Sequence, residues 1–151
     1  MNNLLEKNIY DFKGKVLICG SCLPTMQKDR FNKIKDDYDT IVYLCLEKDH
    51  INMAITKICG VLSTNNVESL TFASVNKSPH CTQMHYITNE IKRIMDNTKL
   101  PEIKNIVVQD NEIYEIDEKI LSLSKDLINL STIIKKEQQF FFCGILIKKI
   151  L

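Results

Sequence analysis

Lys15-Val-Leu-Ile-Cys19, entered through Gly14 and left through Gly20-Ser-Cys22-Leu-Pro24, is the stretch whose reading settles the architecture. A short apolar run of this kind, bounded by glycine, predicts a buried strand. Thr40-Ile-Val-Tyr-Leu-Cys45-Leu46 repeats the pattern with β-branched residues at its start, and Ser69-Leu-Thr-Phe-Ala-Ser-Val75 gives a third strand.

The segments between these strands carry helical spacing. Met26, Phe31, Ile34 and Tyr38 mark one helix face up to Asp39. Asp49 is read as the cap of a second helix, whose stripe is Ile51, Ala54, Ile55, Ile58, Val61 and Leu62 and which the Asn65-Asn66 pair ends. Ser78 and Pro79 open a third, with Met84, Ile87, Ile91, Ile94 and Met95 along it. Beyond Pro101, Ile103 to Val108 and Glu112 to Ile116 read as two strands joined at Gln109-Asp110-Asn111. Strand and helix in alternation specify an α/β fold: a three-layer, mostly parallel sheet, flavodoxin-like or Rossmann-like. The expected order of the first four strands is second, first, third, fourth, with a C-terminal hairpin and helix. Residues 1–116 form this domain, and residues 117–151 supply a helix and an apolar tail that pack on the domain or on a partner.

Composition narrows the function. Twenty basic and nineteen acidic side chains leave a formal charge of +1, so no nucleic-acid partner is expected. With only four glycines, Gly14, Gly20, Gly60 and Gly144, neither G-x-G-x-x-G nor G-x-x-x-x-G-K-[ST] can be written. Met1 to Asp11 lacks a secretory pattern, and the longest uncharged, mainly apolar run, Gln138 to Ile147, falls far short of the roughly 20 residues of a membrane span. A cytoplasmic protein without a membrane span is the expectation. In that reducing compartment, spaced cysteines point to metal ligation or redox chemistry before structural disulfides.

Four of the six cysteines fall at strand ends. Cys19 closes the first strand and Cys22 follows in a C-x-x-C turn; Cys45 closes the second; Cys81 opens the helix after the third. Open α/β sheets place ligands at these carboxyl ends. Neighbouring strands lie about 4.8 Å apart, so Cys45 and Cys81 would flank Cys19 and Cys22, and all four could reach one ion or a small cluster. Thiolates suit zinc or iron–sulfur centres. Cys59 and Cys143 sit among apolar residues and read as core. His85, one turn beyond Cys81, could ligate, carry a proton or bond a ligating sulfur, and His80 shares the loop. His50, five residues past Cys45, is the weakest of the three histidines.

These residues resemble the delta subunit of methyl-viologen-reducing hydrogenases, an iron–sulfur electron carrier. The likeness runs from about Lys15 to Met95 through Cys19-Gly-Ser-Cys22, Cys45, Pro79-His80-Cys81 and His85-Tyr-Ile87, though that family tends to carry two cysteines where Cys81 stands alone. The resemblance implies a [2Fe-2S] cluster on Cys19, Cys22, Cys45 and Cys81, and electron transfer to a redox partner protein. Val16-Leu-Ile-Cys19-Gly-Ser also resembles the loop of phosphotransferase-system IIB domains, which implies a phosphoryl-accepting Cys19. A tyrosine-phosphatase loop is excluded because the required arginine is missing. Thioredoxin is disfavoured because helix, not strand, follows Pro79.

The expected function is therefore an iron–sulfur electron-transfer protein. The alternatives are a structural zinc domain, or a cysteine-nucleophile or thiol-redox enzyme using Cys81 with His80 or His85 as base. Ile120, Leu123, Leu127, Leu130 and Ile134 form a heptad-like seam, and Phe140 to Ile147 is a final buried strand or a docking segment. The C-terminal region is expected to contribute to an interface, with a redox partner or as a homodimer.

Overall fold

The computed structural model describes residues 1–137, and the Lys15 to Cys19 run lies at the heart of its sheet. Six strands form it: β1 (Asn2–Asn3), β2 (Gly14–Gly20), β3 (Thr40–Leu44), β4 (Val67–Val75), β5 (Glu102–Gln109) and β6 (Glu112–Glu115). Their order is β1-β3-β2-β4-β5-β6, parallel throughout except for the antiparallel β5–β6 hairpin. The four central strands stand in the order read from the sequence. The addition is β1, whose two asparagines give no β signal; it is held at the edge by Leu4 N–H donating to Tyr43 O at 2.9 Å.

Side chains alternate across β2 and so define two core layers. Val16 and Ile18 pack with Phe72, against Ile58 and Val61 of α3 (Ile51–Leu62) and Met84, Ile87 and Ile91 of α4 (Pro79–Ile94). Leu17 and Cys19 pack with Ala73 on the other side, against Leu23 of α1 (Leu23–Met26) and Phe31 and Ile34 of α2 (Lys28–Ile34). A fully buried side chain of this size contributes roughly 1.5–3 kcal/mol, which is why the apolar runs seek the middle of the sheet.

Three local expectations are corrected. The helix drawn from Met26 to Asp39 is two helices and a 3-10 turn, because Gln27 at φ −130°, ψ 48° breaks it. Asp49 is not the cap of α3: His50 holds that position, and the Asp49 carboxylate turns back to Cys45 N–H and to Asn3. Helix α3 closes at Leu62, before the asparagine pair, and Asn65 then adopts φ 58°. Helix α4 begins as read, with Ser78 Oγ accepting from Cys81 N–H at 3.3 Å. The hairpin turns on Asp110 and Asn111, both at positive φ.

The chain divides into two compact units, Met1–Ile116 and Asp117–Leu151. In the second, Asp117 caps α5 (Glu118–Leu123), its Oδ1 accepting from Ile120 N–H at 2.9 Å. A further helical stretch, 127–137, is capped by Asp126, which accepts from Asn129 N–H at 3.0 Å. The heptad-like seam therefore spans two helices, not one, because Asp126 makes a better cap than a helix interior residue. The Phe140 to Ile147 segment and Cys143 lie outside the described residues. Among the described residues, no helix is long and apolar enough to cross a membrane.

Candidate functional site

Three turns at the carboxyl ends of β2, β3 and β4 meet around a cleft of about 30 Å³. After β2, Cys22 starts α1, and its carbonyl accepts from Met26 N–H at 2.9 Å. After β3, the Cys45 carbonyl accepts from Lys48 and Asp49 N–H at 2.9 and 2.7 Å, while Cys45 N–H donates to Asp49 Oδ2 at 3.2 Å. After β4, Lys77 at φ 65° turns the chain into the Ser78 cap, which delivers Cys81 in the first turn of α4. The cleft is lined by Cys22, Cys45 and Cys81, with His80 and Glu47 beside them and Leu44 and Met84 at its apolar side. Its volume accommodates an ion or one to two waters.

The other predicted site residues lie elsewhere. Cys19 faces away from the cleft into the α1–α2 layer, fully buried, with Sγ 3.5 Å from Val42 O and 3.6 Å from Met1 Sδ. Strand alternation is the reason, since Cys19 and Gly20 point to opposite faces. Burial pushes the Cys19 thiol up to about 12, which disfavours the free thiolate that phosphoryl transfer needs. With iodoacetamide at pH 8, the exposed Cys22 is expected to be labelled readily and Cys19 only after unfolding. Equal labelling of the two in the native chain would contradict this placement. Cys59 is half-buried on α3 against the core, in keeping with its reading as a packing residue.

His80 is exposed and lines the cleft, whereas His85 is 3% exposed and turned under α4. Its Nε2 stands 2.7 Å from Ser74 Oγ and its Nδ1 2.9 Å from Asn105 Oδ1. With both ring nitrogens engaged, His85 has none left for a ligand or for the Cys81 proton. His50 caps α3 by its backbone and does not line the cleft.

Four cysteines around one centre therefore do not fit the arrangement as it stands. Three do share a cleft. Among the described residues, no three His, Cys, Asp or Glu side chains are close enough to hold an ion without moving.

Two contributors carried no signal of their own type. Asp49 fixes the Cys45 turn, and the only sequence hint was its position four residues after that cysteine. Gly20 leaves the room into which the Cys81 sulfur fits: a Cβ on Gly20 would stand 3.1 Å from it. Gly20→Ala is expected to displace that sulfur by a few tenths of an ångström and to destabilise by about 1 kcal/mol. Unchanged thermal stability together with an unchanged rate of Cys81 alkylation would refute the contact.

No curated protein and no solved structure matches the chain. A family model does, over residues 12–141, which include the whole parallel sheet except the edge pair of asparagines. With the strand order, the two helical layers and that match in agreement, the chain belongs to the family of Rossmann-like domains.

Proposed function

We propose that this Rossmann-like domain is a metal-binding module that holds a soft metal on Cys22, Cys45 and Cys81, with His80 placed to complete the set. The observation that carries it is that three cysteines, from three successive strand ends, line one ion-sized cleft. Three cysteines and a histidine are a common tetrahedral zinc set. Ligand binding would release the thiol protons to water and draw the three turns together, so that affinity rises with pH.

The redox form of the reading is an iron–sulfur electron-transfer protein, which the hydrogenase delta-subunit resemblance supports. That form asks for a fourth thiolate in addition to the three. Cys19 would have to leave its apolar layer, or His80 would serve instead. The reading places the protein in the cytoplasm, where the five free thiols among the described residues persist. A redox partner or second copy would dock on the C-terminal unit, where Leu127 and Ile128 are exposed.

Anaerobic purification followed by metal and sulfide analysis decides between these forms. Brown protein with stoichiometric iron and sulfide supports electron transfer, and colourless protein with one zinc supports a structural site. Protein that carries neither, and takes up neither on reconstitution, overturns the proposal.

A further inference from the structure

Helix α4 turns Cys81, Met84, His85, Ile87, Thr88 and Ile91 inward. The polar members of that row are confined to the two turns that follow Cys81, and they share partners. Thr88 Oγ1 donates to Asn105 Oδ1 at 3.2 Å, and the same oxygen lies 2.9 Å from His85 Nδ1. On the other side of the ring, His85 Nε2 meets Ser74 Oγ at 2.7 Å. Ser74 is 1%, Thr88 1% and Asn105 5% exposed, so the chain of bonds is sealed from solvent. An acyl-transfer role for Ser74 is therefore ruled out by access, although the Ser–His–Asn distances resemble one.

A buried polar chain is not the most stable filling for such a space, since well-packed apolar side chains do as well or better. What it adds is a fixed geometry. Ser74 belongs to the last turn-ward part of β4, and the Cβ position of Gly20 lies 4.0 Å from Ser74 Cα and 3.1 Å from Cys81 Sγ. The chain thus ties α4 to β4 and β5 directly behind the cleft. His85 stands one turn from Cys81 on the same face, where side chains four apart are neighbours.

We propose that His85 is a positioning residue for Cys81: bonded to Ser74 and Asn105, it fixes the first turns of α4 against the strand ends and so keeps the Cys81 sulfur over Gly20, facing the cleft. Its consequence for metal affinity rests on the thiolate-site reading; its consequence for the Cys81 thiol does not.

The test uses the full chain with chelator present and reads the alkylation rate of Cys81 by peptide mass spectrometry. His85→Ala is expected to speed it at least tenfold. His85→Gln, which keeps a polar atom facing Ser74, is expected to return it to within about threefold of the parent. Ile91→Val, which trims the same helix far from Cys81, should leave it unchanged at a comparable loss of stability. Should His85→Ala fail to fold, Ser74→Ala removes the same bond with a smaller cavity and is expected to act in the same direction. Cobalt(II) titration of the same proteins should show affinity falling 10–100-fold in His85→Ala and recovering in His85→Gln, as for other groups that orient metal ligands. The inference is overturned if His85→Ala, or Ser74→Ala in its place, alters Cys81 no more than Ile91→Val does, or if Gln gives no rescue. If no variant binds cobalt, the parent included, the thiolate-site reading falls, and the alkylation rates still decide the role of His85.

Discussion

Cys81→Ser is expected to weaken zinc or cobalt binding by two to three orders of magnitude, and Cys19→Ser to leave it within about twofold of the parent. The asymmetry follows from placement: Cys81 lines the cleft, while Cys19 does not and has its sulfur against Val42 O. Structural zinc in small sites contributes an apparent 10–16 kcal/mol, so one ligand of four accounts for roughly 3–4 kcal/mol. Serine keeps the volume and loses the soft donor. Cys22→Ser and Cys45→Ser are expected to resemble Cys81→Ser, because both residues line the same cleft. A Cys19→Ser chain that loses metal as fully as the other three would restore the four-cysteine arrangement and the iron–sulfur reading with it. Competition against a chromogenic chelator measures all four. Circular dichroism guards against misfolding, which is a concern for Cys19→Ser, since that substitution puts a hydroxyl in an apolar layer.

Much of this placement was legible in the chain. The apolar runs Lys15 to Cys19, Thr40 to Leu46 and Ser69 to Val75 hold strands, the second of which stops at Leu44 and leaves Cys45 in the turn, and the Ser78-Pro79 start of α4 fell where its cap chemistry put it. The alternation with helices implied a parallel sheet and left flavodoxin-like and Rossmann-like orders open; the four central strands stand in the expected second, first, third, fourth order. The direction of Cys19 was harder. Strand periodicity shows that Cys19 and Gly20 face opposite sides, but which side the cleft opens on depends on where the three loops close, and no local signal carries that. The C-x-x-C spacing suggested a shared centre and concealed the difference. The Ser74, His85, Asn105 chain was invisible for another reason. Its partners are 11 and 20 residues apart; His85 stood out only by its spacing from Cys81, and Ser74 and Asn105 alone are ordinary polar residues in apolar stretches. Asp49 shows local rules in competition: four residues after Cys45, it closes a turn on that residue's N–H and leaves the helix cap to His50.

The same buried histidine predicts how stability responds to acid. Asn105 Oδ1 carries no proton and already accepts from Thr88, so His85 Nδ1–H donates to it, and Nε2 in the neutral ring accepts from the Ser74 hydroxyl. Burial favours this neutral form and lowers the His85 pKa below its ordinary value of 6.5; the Asn105 bond opposes the shift only in part. The unfolded chain, with its histidine near the ordinary value, therefore binds the proton first as pH falls. Stability contributed by the neutral ring is complete above about pH 6.5. It declines as pH drops from there toward the folded-state value, by at most about 1.4 kcal/mol per pH unit for one proton. Urea unfolding followed from pH 8 to pH 5 is expected to show a plateau and then this fall, well above the range in which ordinary carboxylates titrate. His85→Gln, which cannot take up the proton, should flatten the profile over the same interval even if it is less stable throughout. Parallel profiles for the two chains would mean that His85 is not the group responsible.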